Sequence, residues 1–171
     1  INDFVLELNK ISISFQFNAE LGFAEVFLNG ENVENAVRTM HVSSFVSKIA
    51  AVPEVRYRLV KQQQLIGESS GIVMDGRDIG TVVFPNAELK LFMTATDKVR
   101  AQRRYDELIA KGDEVSFEEV LHNVRERDYV DSHRENSPLL KASDAIEIDN
   151  SELSIEDQFK KIMELVEQAK K

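Results

Sequence analysis

The chain has 171 residues, an apolar share of 43% and a formal charge of −9. That length allows one substantial core with at most a small appendage, and the apolar share excludes a disordered chain. The acidic balance argues against general nucleic-acid binding; with no cysteine, no signal-peptide pattern and no long apolar run, disulfides and thiolate metal sites are excluded and the expected compartment is the cytoplasm.

In chain order, residues 11–17 alternate apolar and polar side chains, and residues 23–30 follow after Asn18-Ala19-Glu20-Leu21-Gly22. This predicts a hairpin or small meander with one wet face. From His41 the period becomes helical, with Val42, Phe45, Val46, Ile49 and Ala50 on one side. Pro53 then opens a second helix over 54–65, because proline fits a first helical turn. Gly71-Ile72-Val73-Met74 reads as a short buried strand, which breaks into Asp75-Gly76-Arg77-Asp78 before turning apolar again at Val82-Val83-Phe84. Residues 89–95 form a second buried strand, followed by a helix over 97–110 that ends at Lys111-Gly112. Ser116-Phe117-Glu118-Glu119 is a capping box opening another helix. A third buried strand, 145–149, precedes a last helix capped by Ser154, with Glu156 and Asp157 in its first turn. From Gly71 onward strands alternate with helices, the pattern of a parallel sheet covered by helices.

Ligands in open α/β sheets sit beyond the carboxyl ends of the strands, where Asp75, Arg77 and Asp78 fall. Arginine offers a planar fork suited to phosphate, and aspartate accepts from an amino group. The structural alternative is an Asp–Arg pair that stiffens a loop. Arg127, Asp131 and Arg134 are spaced four and three apart, so they share one helical face; a solvated ion-pair ladder explains such a face equally well. Arg100, Arg103 and Arg104 form another cationic face with the same bland explanation. His41, His122 and His133 show no metal-ligand spacing. A haloacid-dehalogenase-type phosphatase would need its two aspartates two residues apart near the start of the fold, whereas Asp75 and Asp78 are three apart and mid-chain.

The segment Asp75-Gly76-Arg77-Asp78-Ile79-Gly80-Thr81-Val82-Val83-Phe84-Pro85, with Arg103-Arg104-Tyr105, residues 125–134, Pro138-Leu139 and Leu153-Ser154-Ile155-Glu156, resembles bacterial cytidylate kinases in order over nearly the whole chain. The resemblance implies a P-loop nucleoside-monophosphate kinase fold: a parallel sheet flanked by helices, with a small α+β inserted monophosphate-binding domain. The insert would span 1–66 and the remaining core 67–171, with a lid at about 112–137. The implied reaction is transfer of the ATP γ-phosphate to CMP or dCMP. Carried over by position, Ser47, Arg56 and Asp78 would recognise cytosine, Arg77 and Arg127 would bind phosphate, Asp131 would contact the ribose, and Arg134 would complete the site. Arg77, Arg127 and Arg134 would be the catalytic arginines.

Cytosine offers an amino donor and a ring-nitrogen acceptor, which suit a carboxylate or hydroxyl and an arginine respectively. The other implied partners are ATP with Mg2+, no nucleic acid and no membrane, and the intact enzyme would be a monomer. The family opens with a strand, a glycine-rich P-loop and a helix, and no G-x-x-x-x-G-K-[ST] occurs here. The chain is therefore expected to start inside the family sequence and to lack transfer activity alone, the alternative function being a non-catalytic nucleotide-binding or interaction fragment. The lid helix, whose charged face lacks an obvious intrachain partner, is expected to be mobile without ligand.

Overall fold

The computed structural model describes residues 7–8, 10–68 and 71–170. The chain divides between Leu59 and Val60 into two compact units. In the first unit, β1 (Ile13–Asn18) and β2 (Phe23–Leu28) pair antiparallel, with Phe15 opposite Val26 and Phe17 opposite Ala24. Gly22 has a positive φ of 74°, and the Asn18 carboxamide accepts from the backbone N–H groups of Glu20 and Leu21, closing the turn. Asn29 and Gly30, at φ 51° and 87°, make the two-residue link from β2 to β3 (Glu31–Asn32), as expected where both central turn residues need a left-handed backbone. The predicted meander is present, but its apolar stripe is not covered: Phe15 is 55% and Phe17 71% exposed.

A short 3₁₀ turn, Ala36–Arg38, leads to α1 (Met40–Ala50). Pro53 then starts α2 (Pro53–Gly67), and the division between the units falls within this helix, ahead of the expected 66/67 boundary.

In the second unit, β4 (Leu91–Thr94) pairs parallel with β5 (Ile146–Asp149), and the crossover carries α3 (Asp97–Ala110) and α4 (Phe117–His133). The last helix, α5 (Ile155–Ala169), follows β5. This is the predicted parallel sheet flanked by helices. The start of each of these helices, and the end of α3, has a local cause. At α3 the Thr96 hydroxyl accepts from the Val99 N–H, and the helix ends in a Schellman motif: Gly112, at φ 86°, donates to Ile109 O while Asp113 donates to Leu108 O. The Ser116–Glu119 capping box opens α4, and the Ser154 hydroxyl accepts from the Asp157 N–H to open α5. The core buries Val83, Ala101, Leu108, Val120 and Ile148, and Tyr105 meets Phe117 edge to face at 6.2 Å. No described helix is long and apolar enough to cross a membrane.

One element differs from expectation. Residues 71–74 are not a strand: Val73 is fully exposed, and no described strand pairs with this segment. An apolar run becomes a strand only through a ladder partner that satisfies its backbone groups.

Candidate functional site

The segment after Met74 is shaped by a single π-turn, Ile79–Val83. The Asp78 carbonyl accepts from the backbone N–H of Val82 at 2.9 Å and of Val83 at 3.2 Å, and the Phe84 N–H donates to Ile79 O at 2.7 Å. These wide turns are uncommon and recur at functional sites. The turn places consecutive residues differently: Arg77 reaches outward with a side chain 41% exposed, while Asp78 is buried. Asp75, expected beyond the carboxyl end of a strand, is exposed where no strand exists.

Arg77 meets the charged face of α4. Its Nε donates to Asp131 Oδ2 at 2.8 Å, and Arg134 Nη1 donates to Asp131 Oδ1 at 3.4 Å. Arg127 Nε lies 3.8 Å from Asp131 Oδ2, an ionic contact too long for a hydrogen bond, and that nitrogen is buried without a hydrogen-bond partner. Arg134 Nε is anchored on Ser137 O at 2.8 Å. The expectation that this face of α4 lacks an intrachain partner is therefore corrected. Asp131 is buried, and an ionised carboxylate there requires cations, which Arg77 supplies from 54 positions away in the chain.

The cluster sets three guanidinium groups against one carboxylate. Burial first, and then repulsion from Arg77, lowers the Arg127 guanidinium below its usual value, and attraction by Asp131 and Asp128 only offsets this. Arginine nevertheless stays protonated, so the arrangement holds excess positive charge beside partly buried N–H donors. Its chemical capacity is to receive a multiply charged anion with a tetrahedral set of oxygens.

The structure thus brings together Arg77, Arg127, Asp131 and Arg134, with Asp78 next to Arg77 in the chain. Arg56 stands in the first unit, where its Nη1 donates to Ala50 O at 3.0 Å. Ser47 lies within α1, and its side chain falls outside the described residues. The cationic side chains of α3 have partners within the fold, and Arg104 also adds to the repulsion on Arg127. Arg100 forks onto both carboxylate oxygens of Asp128 at 2.9 and 2.6 Å, Arg103 holds Asn150, and Arg104 pairs with Glu107. An open cavity of about 630 Å3 along α5, lined by Phe159, Met163 and polar residues of the same helix, contains none of the clustered arginines. Among the described residues no group of three or more His, Asp or Glu side chains could hold a metal ion.

Sequence reasoning found the four clustered residues but missed what holds the π-turn in place. Gln64 Nε2 donates to Val83 O at 3.1 Å, and Lys90 Nζ donates to Pro85 O at 2.5 Å. Lys90 interrupts the apolar pattern of residues 89–95, and a charge at that position is the signal that the sequence carries.

Comparison with known proteins identifies the family of the chain. The cytidylate kinase family model matches residues 2–168. The chain is 66% identical over 159 residues to a cytidylate kinase of Flavobacterium johnsoniae, covering 93% of this chain and 69% of that protein. It is 60% identical over 162 residues to the cytidylate kinase of Flavobacterium psychrophilum, covering 95% and 72% respectively. A Bacteroides thetaiotaomicron cytidylate kinase is 62% identical over 151 residues, with 88% and 66% covered. With nearly its full length matched by the family model and by such relatives, the chain belongs to the cytidylate kinase family.

Proposed function

We propose that the protein is an ATP-dependent nucleoside-monophosphate kinase that transfers the γ-phosphate of ATP to CMP or dCMP, giving ADP and CDP or dCDP. The observation that carries the acceptor half of this reading is the cluster of Arg77, Arg127 and Arg134 around a single buried carboxylate, Asp131. In the reaction an oxygen of the acceptor 5′-phosphate attacks the γ-phosphorus, and the bond to the β–γ bridging oxygen breaks. Little covalent participation by the protein is needed, so side chains that align the phosphates and neutralise charge are the expected machinery.

Arg77 and Arg127 hold the acceptor phosphate on this reading, and Arg134 adds positive charge beside it. Asp131 contacts the ribose. Its two oxygens offer about four acceptor directions, so bonds to Arg77 and Arg134 do not preclude that contact, although a ribose hydroxyl would have to donate. Asp78 reads the cytosine amino group, and Ser47 and Arg56 keep the base-recognition roles that the resemblance implies. Residues 112–137 act as the lid. Magnesium arrives on the ATP phosphates, where it neutralises charge. The chain contains no G-x-x-x-x-G-K-[ST] motif, and none of its residues is assigned to the donor nucleotide. The partners are CMP, dCMP and ATP, without nucleic acid or membrane, and the enzyme works as a cytoplasmic monomer.

The test is competition of CMP and UMP for binding to the protein and its Asp78→Asn variant. Asparagine presents either a donor or an acceptor, so the discrimination against uracil should fall by the equivalent of about 1–3 kcal/mol. An unchanged CMP-to-UMP ratio removes Asp78 from base recognition, and failure of CMP to bind at all removes the acceptor reading.

A further inference from the structure

We propose that Lys90 is a positioning residue for Arg77 and Asp78, acting through the π-turn that follows them. The inference rests on the acceptor-site reading above and adds a residue to it. The Lys90 side chain is only 7% exposed, an unfavourable place for an ammonium group unless its donors are satisfied. Two of them are used: Nζ donates to Pro85 O, just past the turn, at 2.5 Å and to Asp144 Oδ2, ahead of β5, at 2.7 Å. The aliphatic stem crosses Gly80, where an added Cβ would lie 3.3 Å from Lys90 Cδ and 3.5 Å from Cγ. Lys90 therefore grips the π-turn at its second residue and again two residues beyond its end.

Two further contacts fix the far side. Gln64 holds Val83 O at 3.1 Å, and Gly67 lets the Phe84 ring approach so closely that a Cβ there would come within 2.6 Å of it. A π-turn is poorly populated without surrounding contacts, and this one begins on the Asp78 carbonyl. Loosening it shifts Asp78 and its neighbour Arg77 together. The ammonium also holds the Asp144 carboxyl below its usual value, as expected of a formed ion pair.

The experiment measures CMP affinity by calorimetry without ATP, the CMP-to-UMP ratio and thermal stability for the protein, Lys90→Met, Gly80→Ala and Arg77→Lys. Lys90→Met keeps the stem and removes the ammonium. It should weaken CMP binding about tenfold and narrow the CMP-to-UMP ratio at temperatures where the variant is fully folded. A lower melting temperature with normal CMP affinity and normal selectivity would show a merely structural lysine and overturn the proposal. If Lys90→Met does not fold, Gly80→Ala decides. Its methyl presses on the stem and should cost roughly threefold in CMP affinity, and an unchanged affinity overturns the proposal. Arg77→Lys separates the two readings. If it weakens CMP binding while the Lys90 and Gly80 variants do not, only the positioning role fails. If the unsubstituted protein does not bind CMP, the acceptor reading fails and the positioning role with it.

Discussion

Helix α4 carries two sets of charges that look alike in sequence and differ in kind. Toward α3, Arg125 donates to Asp97 at 2.6 Å and Asp128 receives the fork of Arg100. Two cations meet two anions there, and each side chain is between 33% and 54% exposed. On the other face Asp131 and Arg134 are each only 4% exposed, and three arginines share one carboxylate. The first set is a balanced clip between helices. In the second, burial first and then repulsion from Arg77 lower the Arg127 guanidinium, and attraction by Asp131 and Asp128 acts against this. Local charge balance, more than the number of ion pairs, separates scaffold from binding site.

The sharpest break of this comparison is to neutralise one carboxylate in each set. Asp131→Asn removes the carboxylate that the buried Arg134 shares with Arg77 and Arg127, and should cost about 3–5 kcal/mol in urea unfolding. Asp128→Asn, in the balanced and partly exposed clip, should cost no more than about 1 kcal/mol. Equal losses would mean that burial around Asp131 carries no special weight. CMP affinity should fall with the first substitution and hold with the second.

Arg77→Lys tests the cluster as an anion site. The charge is kept, but a point ammonium cannot reproduce two parallel bonds to phosphate oxygens. CMP affinity should fall by about 1.5–3 kcal/mol, the range of a hydrogen bond to a charged group. Stability should change far less, because the Arg77 side chain is 41% exposed. Loss of stability with intact affinity would make Arg77 a structural partner of Asp131 and nothing more.

Much of the fold was legible because its signals are local. The Ser116–Glu119 box, the Ser154 cap and the Lys111-Gly112 stop each act within a few residues, and the structure realises all three. The strands at 91–94 and 146–149 also follow from short apolar runs between turn signals. Residues 71–74 carry the same kind of run without a ladder partner, and periodicity cannot report a partner. Val82 and Val83 are β-branched and read as extended, whereas their backbone N–H groups both bend back to Asp78. At the site, the spacing of Arg127, Asp131 and Arg134 predicted a shared face, but the approach of Arg77 is a tertiary contact between distant positions. The roles of Ser47 and Arg56 come from resemblance alone.

The smallest effect concerns the balanced clip and pH. The Arg125 hydrogen bond first, and then the Lys98 backbone N–H, lower the Asp97 carboxyl below its usual 3.8. Asp97 also stands in the first turn of α3, where the helix dipole favours negative charge. A carboxyl lowered in the folded state stabilises the protein fully above its unfolded value. That contribution is lost as pH falls through the folded value. Asp97→Asn should therefore lower stability slightly at neutral pH, and the gap from the unsubstituted protein should close as pH falls below 3.8 toward the lowered value. Added salt should narrow the neutral-pH gap, because the pair is solvent-exposed and screened. CMP affinity should not move, since the clip lies outside the acceptor cluster. Unfolding curves across that pH range decide the matter: a gap that stays constant would show that Asp97 acts through packing or capping geometry instead of charge.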